Sequence, residues 1–372
     1  LKVATETVRD TTMPSIQFAN ELNDQSQTYV RRPLGHDQPC FIIAEAGVNH
    51  NGSLELALEM VDVAAECGAD AIKFQTFQAS KLVTPQAPQA SYQTKNSGRQ
   101  ESQLDMLRRL ELDRPAHRAI IERCQKRKIE FMSTPFDEES VDMLVEEGMH
   151  YFKIPSGEVT NLPLIKHIAL KGRPVILSTG MCNLADVELA VDTLESLGVQ
   201  ELAILHCVSN YPADPADTNL KCLNVLRAAF GYPVGYSDHT LGEAVPLAAV
   251  ALGACVIEKH FTLDRTLPGP DHLASAQPDE LQHLIQQIRI VESALGNGRK
   301  KPTQAEQNTA SVARRSLVAA RPIRAGEMIS ASDLIGRRPG TGLPTAMLTH
   351  LVNRRARQDI AANTMIELGM FS

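Results

Sequence analysis

A chain of 372 residues that is 43% hydrophobic carries enough apolar side chain for at least one large core, and its length suggests roughly two domains. Its net charge of -7 is built from interspersed signs, with no basic face and no acidic tail, which argues against nucleic acid or a membrane surface and points to small molecules as partners. The seven cysteines form no CxxC pair and fall mostly in apolar runs, the N-terminus lacks the apolar region of a signal peptide, and no long uncharged apolar run occurs; a cytoplasmic location is expected.

Residues 1–38 are polar without a sustained period and read as an N-terminal extension. From Cys40 onward, short apolar runs alternate with longer amphipathic stretches, as in repeated βα units. Strands are predicted at 40–47, 71–77, 129–135, 151–157, 174–180, 202–209, 233–239 and 255–262. Between them lie stretches such as LELALEMVDVAAECG and LADVELAVDTLESLG, with helical spacing of apolar residues and a terminal glycine. Such alternation over ~250 residues predicts a TIM (β/α)8 barrel over 39–296. GNGRKKPTQAEQN then reads as an exposed linker (297–312), and 313–372 as a small β-rich module with short runs such as SLVAA and MIEL.

Each predicted strand starts apolar and ends polar, and in a barrel those ends converge on one rim. The most specific pair is His239 and His260, ending the seventh and eighth strands in YSDHT and EKHFT. They are candidate ligands of a divalent metal, or else polar rim histidines; Asp238 and Glu258 stand beside them as carboxylates able to orient a ligand histidine. Lys73 and Lys153 lie within strands, either binding an anion in the rim or snorkelling to an edge. With the hydroxyls of Thr134, Ser156, Ser178 and Ser237 they can cradle a phosphate and a carboxylate, although for any one serine a bond to its local backbone is the commoner use. Glu45 and Glu158 are acidic groups of the rim, GVNHNG (47–52) reads first as a tight turn, and Tyr211 and Asp271 sit in loops suited to substrate contact.

FIIAEAGVNHNG, AIKFQTF, FDEESVDML, KIPSGEVTNLPL, LSTGM, VGYSDHTLG, ALGACVIEKHFTLDR and PGPDH, in this order, resemble the sialic acid (nonulosonate) synthase family, and SLVAARPIRAGEMISASDL with RRPGTG resembles its C-terminal antifreeze-like (SAF) domain. The resemblance implies condensation of phosphoenolpyruvate with an N-acetylmannosamine-type amino sugar, with release of phosphate. It implies Mn2+ or Mg2+ on His239 and His260, and phosphoenolpyruvate held by Lys73, Thr134, Lys153, Ser156, Ser178 and Ser237. Glu158 would lie near the reacting carbons, and Glu45, Gln75, Tyr211 and Asp271 would contact or frame the sugar. It further implies a domain-swapped homodimer in which Arg338 completes the partner's site. Ser209 departs from the asparagine of some N-acetylneuraminate synthases, which leaves N-acetylneuraminate and N,N'-diacetyllegionaminate both open as products, with pseudaminate behind. The alternatives are a synthase of the same fold acting on a phosphorylated sugar, for which no second basic cluster is seen, and a carbohydrate- or ice-binding protein.

Overall fold

The computed structural model describes residues 33–90, 93–94 and 101–372, so the reading of 1–38 as an extension falls almost wholly outside the described residues. Eight parallel strands form a closed barrel: β1 (Phe41–Gly47), β2 (Ala71–Thr76), β3 (Glu130–Pro135), β4 (Phe152–Ile154), β5 (Val175–Ser178), β6 (Leu202–Cys207), β7 (Val234–Asp238) and β8 (Val256–His260). Closure is made by β1 pairing with β8, with Phe41 opposite Val256 and Glu45 opposite His260. The fourth strand is shorter than predicted because Pro155 ends it and Ser156–Glu158 turn into a 3-10 helix.

Both strand faces are buried, but against different partners. Outward side chains, such as Ile42, Ile72, Phe152 and Ile204, pack against the surrounding helices. Those helices are positioned by local rules. In Leu54–Cys67, Ser53 accepts the Leu56 N–H at the start and Gly68 takes the left-handed conformation at the end; Ala57, Met60, Val61 and Ala64 face the sheet. Inward side chains Phe41, Ile43, Met132, Ile176, Leu205 and Val256 fill the lower barrel, so that it is a plug and not a pore. Each such buried aliphatic side chain contributes roughly 1.5–3 kcal/mol. Above this plug the inward positions turn polar.

The chain divides into two compact units, one ending at Gly296 and one starting at Asn297. In the second, β9 (Ser316–Ala319) and β10 (Leu334–Arg337) pair antiparallel over a small core that includes Leu317, Ile323, Ile329, Leu351, Ile360 and Phe371. The stretch expected to be a linker departs from that reading. Gln304–Ala313 is an α-helix, started by a reciprocal Thr303/Glu306 cap and exposed on nearly every face, so no apolar stripe announced it. No helix of the described residues is long and apolar enough to cross a membrane.

Candidate active site

Side chains alternate along a strand, so one parity selects everything that enters the barrel. From the plug upward that parity brings in Glu45 on β1, Lys73 and Gln75 on β2, Thr134 on β3, Lys153 on β4, Ser178 on β5, Ser237 on β7, and Glu258 and His260 on β8. At the centre lies a buried charge cluster. Lys73 Nζ is 2.5 Å from Glu45 Oε2 and 3.8 Å from Glu258 Oε1, and it donates to Thr134 Oγ1 at 3.0 Å. Lys153 Nζ lies 3.6 Å from the same Glu258 oxygen. Both lysines are about 2% exposed, so they enter the rim and do not snorkel to an edge.

Two carboxylates share this cluster on different terms. Burial opposes ionisation of Glu258, but Lys153 and Lys73 outweigh it and hold its carboxyl well below the usual range. Burial pushes Glu45 up to about 7 against the pull of Lys73, so Glu45 is the one that takes a proton first. Burial lowers Lys153, whereas Lys73, equally buried, is raised by Glu258 and Glu45.

The hydroxyls divide into committed and free. Ser156 Oγ accepts the Gly180 N–H at 2.8 Å and lies 3.1 Å from Cys207 Sγ. Ser237 donates to Glu258 at 3.1 Å. Ser178 Oγ is buried with no hydrogen-bond partner, as expected of a group aimed at a ligand. Gln75 donates to Glu45 Oε1 at 3.3 Å.

Beside the cluster, the His239 and His260 rings lie 5.4 Å apart, and the Tyr211 ring packs against both, at 4.2 and 5.5 Å. His239 Nδ1–H donates to the Val208 carbonyl at 2.6 Å, which leaves Nε2 as its lone-pair nitrogen. His260 Nδ1 is buried without a partner. Burial lowers the pKa of both, so the imidazoles are neutral. Two neutral imidazoles this close, each with an uncommitted nitrogen, fit a divalent cation. Among the described residues no group of three or more His, Cys, Asp and Glu side chains converges to hold a metal ion, so the remaining ligands would be water and substrate.

The carboxylates beside the histidines do other work than orienting a ligand ring. Glu258 serves the lysines, and Asp238, on the outward parity, pairs with Lys259 at 2.6 Å and accepts from Thr240. Ser133 also turns outward, to Thr76. Glu258 was expected as a partner of the histidines, and its place at the centre of the charge cluster was missed; the signal was its period of two from His260. Cys207, inward at the end of β6, was missed for the same reason.

The loops close the rim as their residue types suggest. Asn49 ties the β1 loop to β8 by donating to the Phe261 carbonyl and to Ser275 Oγ, both at 2.9 Å, and His50 Nδ1 accepts the Gly52 N–H. Asp271 is buried, which pushes its carboxyl up to about 6. Glu158 is half-buried and accepts from Asn161 at 2.6 Å. Ser209 is half-buried; a β-carbon on Gly180 would come 2.3 Å from its Oγ and 2.9 Å from Ser156 Oγ, so only glycine leaves room for this arc of polar groups. Arg338 belongs to the C-terminal unit and is exposed there.

A (β/α)8 barrel whose mouth holds two buried lysines, an unpartnered hydroxyl and two neutral imidazoles defines an enzyme built for a small anionic substrate. The chain belongs to the NeuB family, whose model matches residues 60–300, and the SAF domain model matches 314–372. It is 49% identical over 339 residues to the N,N'-diacetyllegionaminic acid synthase of Legionella pneumophila, covering 90% of this chain and 95% of that one. It is 48% identical over 327 residues to the synthase of the same name from Campylobacter jejuni, covering 87% and 98%. Among solved structures, the N-acetylneuraminic acid (sialic acid) synthetase of Leptospira borgpetersenii in complex with citrate superposes with a TM-score of 0.67 at 38% identity, covering 74% of this chain and 92% of that one.

Proposed function

We propose that this enzyme condenses phosphoenolpyruvate with the open-chain aldehyde of 2,4-diacetamido-2,4,6-trideoxymannose to give N,N'-diacetyllegionaminate and phosphate. The observation that carries the reading is the buried Lys73/Lys153 pair beside the unpartnered Ser178 hydroxyl, a cradle with positive charge and a spare hydrogen bond for a small polyanion. The choice of sugar is supported by two relatives at 48% and 49% identity that carry the legionaminate name. N-acetylneuraminate is the second reading, favoured by the likeness to the Leptospira synthetase.

In this reading Lys73, Lys153 and the hydroxyls of Thr134, Ser156, Ser178 and Ser237 hold the phosphate and carboxylate of phosphoenolpyruvate, fixing the enol plane. Carbon 3 bonds to the aldehyde carbon, and the aldehyde oxygen takes a proton. Water adds at carbon 2, and the bond from carbon 2 to the phosphate oxygen breaks to leave the keto acid and inorganic phosphate. Glu45 is placed to carry a proton near neutral pH, since burial raises it to about 7. Glu158, half-buried, would give a proton to the aldehyde oxygen or take one from the attacking water. Tyr211, Asp271, Gln75 and Ser209 frame the sugar. A divalent ion, Mn2+ or Mg2+, on His239 and His260 would supply Lewis acidity toward the aldehyde oxygen.

We further propose a homodimer in which Arg338 of each C-terminal unit binds the acetamido group of the sugar held by the partner's barrel, consistent with its exposed guanidinium. The deciding experiment measures phosphate release from phosphoenolpyruvate with Mn2+ and either 2,4-diacetamido-2,4,6-trideoxymannose or N-acetylmannosamine. Faster turnover of the first supports legionaminate and of the second neuraminate; no release with either overturns the proposed reaction.

A further inference from the structure

Outside the barrel, behind the mouth, lies a second buried ion pair that the reaction as proposed does not use. Lys259 and Asp238 sit opposite each other on β8 and β7, both on the outward parity, where their neighbours on other strands are apolar. Lys259 is 3% exposed and Asp238 1%. Lys259 spends its ammonium on three acceptors: Asp238 Oδ2 at 2.6 Å, the Thr240 carbonyl at 2.5 Å and the Gly242 carbonyl at 3.3 Å. The second Asp238 oxygen accepts the Thr240 N–H at 3.0 Å and its hydroxyl at 2.8 Å. The bonds therefore tie the Asp238 carboxylate, just before His239, to the backbone at 240 and 242, just after it.

Asp238, His239 and Thr240 are buried, but packing alone does not hold the residues that follow them. Leu241 is 58% exposed, a β-carbon on Gly242 would meet nothing within 4 Å, and a cavity of about 270 Å3 lined by Gly242, Glu243 and Lys259 opens behind the loop. A loop with solvent on one side and a cavity on the other is fixed by its hydrogen bonds. His239 has two tethers of its own, both to the loop after β6: Nδ1–H donates to the Val208 carbonyl, which sets the ring's rotation, and its carbonyl accepts the Ala213 N–H at 2.9 Å, while the main chain that follows it is held by the Lys259 and Asp238 bonds.

We infer that Lys259 and Asp238 are positioning residues, a clamp that joins the side chain before His239 to the main chain after it and, with the Ala213 tether, fixes the nitrogen His239 presents at the barrel mouth. The pair touches neither substrate nor the histidine ring; it acts through the main chain. The inference rests on the metal reading for its consequence, though not for the clamp itself.

The test uses the full chain. Lys259→Met alone strands a buried carboxylate and is the variant most at risk of misfolding, so Asp238→Asn with Lys259→Met, a neutral pair, carries the experiment. Hydrogen exchange followed by mass spectrometry is expected to show peptides spanning 238–243 exchanging about tenfold or more faster, with the other barrel strands unchanged. Mn2+ affinity, read by the electron paramagnetic resonance signal of free Mn2+, is expected to weaken roughly 10- to 100-fold, while KM for phosphoenolpyruvate stays within about twofold. Wild-type protection of 238–243 in the folded double variant, or wild-type Mn2+ affinity despite faster exchange there, overturns the inference. His260→Ala serves as the separate control: if it binds Mn2+ as the wild type does, the metal assignment fails, while the exchange data still decide the clamp.

Discussion

Ser178 shows how a single atom separates folding from function. Its Oγ is buried without a partner, so Ser178→Ala removes no internal hydrogen bond and is expected to leave the urea midpoint unchanged. If the hydroxyl serves phosphoenolpyruvate, KM should rise roughly 10- to 100-fold, the worth of a hydrogen bond to a charged group; steady-state phosphate release checks it. His260→Ala makes a different prediction, a fall in Mn2+ affinity together with a loss of kcat of about a hundredfold or more. Near-wild-type values of both would remove the metal from the site. Residue types and strand position were legible here, since Glu45, Lys73, Lys153, Ser178 and His260 share the inward parity that the sequence periods imply. The partner of each charge was not legible. Whether Glu258 meets a lysine or a histidine depends on register between strands, which no strand carries alone; parity applied strictly would have turned Asp238 outward.

At the scale of elements, the close approaches are where small changes should tell. Gly235 sits on the inward face of β7, and a β-carbon there would come 2.6 Å from Leu205 Cδ2, Val256 Cβ and the Val256 carbonyl. Backbone cannot yield as a flexible side chain can, so Gly235→Ala is expected to destabilise the barrel by about 1–3 kcal/mol or more, read as a lower urea midpoint with unchanged slope. The loops after β1 and β8 carry a pH dependence. Burial lowers His50 and His272 to about 4 each, below the ~6.5 of an unfolded chain. Between those values the unfolded state binds more protons, so the stability from these rings is complete above about pH 6.5 and is lost as pH falls toward 4, on the order of a few kcal/mol in all. His272→Gln should flatten the midpoint's slope against pH in that window; an unaltered slope would assign the acid sensitivity to other groups. Elements were legible wherever an apolar period existed. The helix Gln304–Ala313 buries no residue, and only the T-x-x-E of Thr303 and Glu306 marked its start.

For the whole molecule, the order of eight strands and the closing β-rich module could be read from the chain because each βα unit repeats the same apolar-then-polar grammar. Assembly is not written in that grammar, since a contact between two copies leaves no period in either. The proposed exchange of Arg338 between subunits therefore needs a test that only a shared site can pass. Arg338→Ala leaves its own barrel intact but withholds the guanidinium from its partner, whereas His260→Ala disables its own barrel but still lends Arg338. Each homodimer should be nearly inactive. When the two are unfolded together and refolded at equal amounts, half the dimers are mixed, and in each of these one barrel has both His260 and a borrowed Arg338. Recovery of about a quarter of wild-type phosphate release is the expected outcome for a closed two-fold exchange. If Arg338 served its own barrel, neither subunit of the mixed dimer would hold a complete site, and activity would stay at the level of the separate variants.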